Sequence, residues 1–123
     1  MIIAAVLDEK ENIVPIVDGK ILRLYNTNTK ESSDFAHPAL HLKEGKRGAT
    51  LHFAEEKGAT AFVTPPHTFC ELSYAKAKQD DIQFYHLEQP VSFQEFKDLL
   101  VAHKLLIRNE LPDEEIVPSG IPR

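Results

Sequence analysis

Four of the six histidines and the only cysteine of this 123-residue chain, His37, His41, His67, Cys70 and His86, fall where a folded sheet could gather them. Imidazole and thiolate are the side chains that hold zinc, copper and metal–sulfur clusters. His67 and Cys70 stand three residues apart, within reach of one metal ion, and are the preferred ligand pair. His37 and His41 stand four apart, but Pro38 between them favours a loop, from which they would close over a bound group. Cys70 falls in the first turn of an expected helix, where the dipole favours a thiolate. The plainer readings are Cys70 as a small buried apolar residue, His67 packing on Leu72 at the helix entry, and His37 and His41 as solvated loop residues. His52, between Leu51 and Phe53, reads as structural, and His103 as a charge near a helix C-terminus.

Other chemistries fit poorly. Two-metal phosphodiester cleavage needs several carboxylates at neighbouring strand ends, and Asp8 is the one well-placed acid. Nucleophilic hydrolysis by Cys70 would need a base oriented by a third group, and His37 or His86 would have to serve. The five glycines stand singly, so there is no phosphate-binding loop. Pro65 and Pro66 also remove amides that a phosphate would use.

The elements that must position these residues follow from the pattern. Met1 to Leu7 is an apolar run that reads as a strand buried on both faces. Two readings stand for the next region. Asp18-Gly19 between Ile13–Val17 and Lys20–Tyr25 has the form of a two-residue hairpin. Alternatively the first part is a loop, Lys20 to Asn26 is a strand, and a turn at Thr27 to Lys30 leads into a strand at Glu31 to Phe35. His37 to Arg47 reads as a loop, Gly48 to Lys57 as a helix closed by Gly58, and Thr60 to Thr64 as a buried strand. Thr68-Phe69-Cys70-Glu71 and Ser92-Phe93-Gln94-Glu95 have the form of capping boxes, the second with Val91 and Phe96 as a hydrophobic staple. The first opens a helix to about Gln79. A strand is expected at Ile82 to His86, and a last helix carries the stripe Phe93, Phe96, Leu99 and Leu100.

A meander followed by alternating strands and helices implies an α/β fold: a mixed five-stranded sheet in order 3-2-1-4-5, strand 2 antiparallel, with helices on its faces. Strands 1, 3, 4 and 5 then end at one edge, which gathers Asp8, His37, His41, Pro65 to Cys70 and His86. Residues 1–105 are expected to form one domain. Residues 106–123, with Pro112, Pro118 and Pro122 around Asp113-Glu114-Glu115, read as an acidic tail.

The bulk properties narrow the class. Hydrophobic residues make 42% and charged residues 27%, a globular balance. A net charge of −5 argues against nucleic acid as a partner. The apolar opening is too short for a membrane span and has no basic flank, and a single cysteine suits a reducing compartment, so a cytoplasmic place is expected.

The opening Met-Ile-Ile-Ala-Ala-Val, the helix–Gly–Ala–strand pattern of Gly48–Thr64 and the stretch Ile82–Leu105 resemble the dinitrogenase iron–molybdenum cofactor biosynthesis family, which includes NifX and the core domain of NafY. The resemblance covers roughly Met1 to Leu105 and implies a ribonuclease H-like fold. Where that family carries a His-Phe-Gly-Arg-like segment this chain has Ile16-Val17-Asp18-Gly19. Where it carries a glycine-rich turn this chain has Pro65-Pro66-His67-Thr68. The resemblance implies a non-enzymatic carrier of iron–molybdenum cofactor, an iron–sulfur precursor or a transition metal, working with a protein partner. Together with the ligand logic it gives His37, His41, His67 and Cys70 as cofactor-binding residues, with His67 and Cys70 on the metal. The other reading is a protein-interaction or regulatory module that kept the fold and lost the site.

Overall fold

The opening apolar run becomes β1 (Ile2–Leu7) at the heart of the sheet, as its burial on both faces requires. In the computed structural model, which describes residues 1–118, β2 (Ile21–Asn26) and β3 (Glu31–Ala36) form the meander. After these come α1 (Lys46–Glu56), β4 (Ala61–Thr64), α2 (Glu71–Gln79), β5 (Gln83–His86), α3 (Phe93–Val101) and β6 (Ile107–Arg108). The sheet order is β3-β2-β1-β4-β5-β6. β1 pairs parallel with β4 and β4 with β5, while β2, β3 and β6 run antiparallel to their neighbours.

Side chains alternate across the sheet and divide the core in two. Ala4, Val6, Leu22, Leu24, Phe62 and Phe84 face α1 and α2, meeting Leu51, Ala54 and Ala77. Ile3, Ala5, Leu7, Tyr25, Val63 and Tyr85 face α3, meeting Phe93 and Phe96. Ser92 Oγ accepts the Glu95 amide at 3.0 Å and Val91 packs in the same cluster as Phe96, as the cap and staple pattern predicts.

Three expectations are corrected and one choice between two readings is decided. The sheet has six strands, because Ile107–Arg108 pair with β5 inside the expected tail; two exposed residues carry no periodic signal. The Asp18-Gly19 hairpin does not form. Ile16–Asp18 make a 3-10 turn after Pro15, and the meander takes the second reading. Gly19 is needed for close approach, since a Cβ there would collide with the Val6 side chain and sit 3.1 Å from the Leu7 carbonyl. α1 begins at Lys46, two residues early, after Gly45 at φ 73°. The N-cap of α2 is Cys70, not Thr68. Thr68 Oγ instead donates to the Pro65 carbonyl at 2.7 Å and closes the turn after β4.

Candidate functional site

Two prolines end β4 and the chain reverses through His67, which takes a left-handed conformation at φ 71°. Phe69 then drops fully into the core, where it meets the rings of Phe62 and Phe84 edge-on at 5.4 and 5.7 Å. This anchor sets Cys70 at the mouth of α2, half-buried. The Cys70 amide donates to Ser73 Oγ at 3.0 Å, and Cys70 Sγ lies 3.3 Å from the same oxygen. Burial pushes the thiol up. The Ser73 hydroxyl, the Ser73 and Leu72 amides and the charge of Arg47 outweigh that, and hold it below the usual thiol range.

Cys70 lines a cleft of about 870 Å³ between the N-terminal ends of α1 and α2. Val17, Gly45, Gly48 and Leu72 supply apolar and backbone surface, and Val117 and Pro118 another wall. Lys43, Lys46, Arg47 and Lys76 meet a single acid, Glu44, at the cleft, in a chain of net charge −5. Lys76 bonds Asp80 at 3.0 Å; Lys43, Lys46 and Arg47 form no ion pair among the described residues. Arg47 reaches the His67 carbonyl at 3.5 Å and keeps a buried Nε with no hydrogen-bond partner among the described residues. Lys46 and Arg47 occupy the first turn of α1, where the dipole disfavours cations and no side chain caps the helix.

The expected ligands separate here. Cys70 lines the cleft. His67 is exposed and is not among the lining residues. His37 cannot act as expected: it is 5% exposed, its Nε2 is 2.7 Å from the Ile16 carbonyl, and its Nδ1 accepts the Ala39 amide at 3.1 Å. Both nitrogens are spent holding the β3–α1 loop, so His37 is structural. His41 is exposed in the turn that follows and lies outside the cleft. His86 pairs with Glu115 at 2.8 Å. Among the described residues no three of His, Cys, Asp and Glu are placed to hold a metal ion. The strand ends do share an edge, but the sheet spreads the histidines along it. Sequence reasoning passed over Lys43, Lys46 and Arg47. Their signal was readable, as three cations within five residues of an acidic chain.

Asp8 Oδ1 accepts the Lys10 and Asn12 amides at 2.9 Å. The Asn12 amide bond outweighs burial and holds the carboxyl low, so Asp8 is the clasp of the turn after β1. A smaller groove of about 430 Å³ lies beside His86, Lys104 and Arg108 and contains no thiol. No helix among the described residues is long and apolar enough to cross a membrane.

No family model and no curated protein matches the sequence. Solved structures do resemble it. The apo orange protein of Desulfovibrio gigas superposes with a TM-score of 0.72 over 86% of this chain and 91% of its own, at 10% identity. A candidate NifB protein of the DUF35 family from Thermotoga gives 0.66 over 92% and 97%, at 13% identity. A candidate dinitrogenase from Methanocaldococcus jannaschii gives 0.61 over 87% and 93%, at 16% identity. At these identities the likeness establishes a shared fold.

Proposed function

We propose that this chain is a small non-enzymatic binding protein that carries an anionic metal–sulfur cargo in the Cys70 cleft. One observation carries the reading: a low-pKa thiol opens into a cleft where four cations meet one acid. A metal sulfide anion suits both, since its metal takes a thiolate and its charge is met by lysine and arginine. Arg47, with its unpartnered Nε, adds a charged donor beside the thiol. The fold shared with a dinitrogenase-type and a NifB-type protein agrees with a cofactor-related role and with a nitrogenase-type cargo. Cys70 is the preferred ligand. His67, three residues away and exposed, is the candidate second ligand although it does not line the cleft. His37 has no part in binding.

The test is anaerobic loading with tetrathiomolybdate followed by gel filtration and metal analysis. Cys70→Ser is the informative variant because a hydroxyl keeps the helix cap and removes the thiolate. The unmodified chain retains molybdenum and Cys70→Ser loses it. Equal retention, or none in either, contradicts the reading.

A second reading, a protein-interaction module that kept the fold and lost the site, draws support from two features. The segment after α3 docks on the domain, with Leu111 8% exposed, and Val101 and Leu106 are largely solvent-exposed. Under that reading neither protein retains metal.

A further inference from the structure

We infer that residues 113–118 are a latch over the Cys70 cleft, pinned by the His86–Glu115 pair, whose release opens the thiol and the mouth of α2. The use of the cleft rests on the cargo reading above; the movement of the latch does not.

After the short 3-10 turn Asp113–Glu115, the chain lies extended along residues 67–71. His67 donates its amide to the Glu115 carbonyl at 3.0 Å, Val117 donates to Phe69 at 3.0 Å, and Glu71 donates to Val117 at 2.9 Å. The last bond matters most. The Glu71 amide is the first of α2, one of the donors a helix cannot satisfy from within. An incoming anion would find that donor already taken by the Val117 carbonyl. Val117 and Pro118 also form a wall of the cleft. The latch therefore occupies part of the surface that cargo would use.

It is also built to move. Among the described residues it is held to the rest of the fold by three backbone bonds, a half-buried Ile116 against the core, and one side-chain pair. That pair joins His86, at the end of β5, to Glu115 at 2.8 Å, with side chains only 10% and 20% exposed. Upstream the chain is tied separately. β6 pairs with β5, and buried Leu111 donates its amide to the Tyr74 hydroxyl at 2.8 Å. Pro112 and Asp113 lie between the two anchorages. Loss of the His86–Glu115 contact frees the latch while β6 and the core stay in place.

The experiment measures the iodoacetamide labelling rate of Cys70 in the full chain without cargo, alongside hydrogen exchange at backbone amides. Glu115→Ala and His86→Ala remove the same contact from opposite sides, and the double variant closes a cycle. Each single variant is expected to label about tenfold faster, the change that loss of one charged hydrogen bond implies. The double variant should be no faster than either. Exchange should quicken at His67, Glu71 and Val117 and stay slow at Ala5 and Val63. Unchanged labelling overturns the latch. So does a rise in which Ala5 and Val63 exchange faster in step, because that is general loosening of the fold. Failure here leaves the cargo reading intact. Failed metal retention with accelerated labelling would remove the cargo and keep the latch.

Discussion

At the scale of single residues, the chemistry of Cys70 is set by burial, by Leu72 and Ser73 within three positions of it, and by the charge of Arg47 from α1. Ser73 gives its hydroxyl to the same cap that holds the sulfur, so the pair works as a Cys-x-x-Ser unit at a helix mouth. The thiol is held below its ordinary range, so its alkylation rate should reach half its maximum at a pH below about 8.5, the value for an unperturbed cysteine. Ser73→Ala removes a bond that favours the thiolate and should move that midpoint upward; an unmoved midpoint would show that the hydroxyl does not tune the sulfur. Cys70 was legible as the sole thiol at a helix entry. His37 was misread for a physical reason. Spacing shows which imidazoles could converge, but not that the Ile16 carbonyl and Ala39 amide already occupy both nitrogens of one of them.

At the scale of elements, a meander followed by alternating strands and helices made the order β3-β2-β1-β4-β5 readable from the sequence. The parts that were not readable lack periodicity. β6 is two exposed residues, and the latch docks through backbone atoms, which leave no trace in side-chain pattern. The turn at Asp18-Gly19 shows the limit of a strong local signal. Its residues suit a hairpin, yet Gly19 is there because the chain presses on Val6 and Leu7. Gly19→Ala should therefore destabilise the fold by about 1–3 kcal/mol, as overpacking does. A denaturant midpoint unchanged by the substitution would refute that origin. The cap of α2 teaches a related lesson. Thr68 and Glu71 had the right types at the right spacing, but the turn after β4 claimed the Thr68 hydroxyl and left the cap to Cys70.

At the scale of the whole molecule, charge is sorted: the chain is acidic, yet its cleft is lined mainly by cations. At the C-terminal ends of α1 and α2, Glu55 faces Asp80 and Lys76, the last of which also lines the cleft. Burial, then the hydrogen bond and charge of Asp80, push the Glu55 carboxyl up from 4.5 to about 7. A raised carboxyl favours the protonated native state. Its contribution is complete below pH 4.5 and is lost as the pH climbs to about 7. Chemical denaturation of the unmodified chain should show stability falling across that window, and Glu55→Gln should flatten the slope; identical slopes would contradict the pairing. The cleft's charge leads to the most direct measurement of the central claim, an anaerobic equilibrium titration with tetrathiomolybdate at low and moderate salt. Cys70→Ser and the charge reversal Lys46→Glu/Arg47→Glu should each weaken binding by about tenfold or more, and salt should weaken the unmodified chain as well. A chain that binds nothing, or three proteins with one affinity, would contradict it.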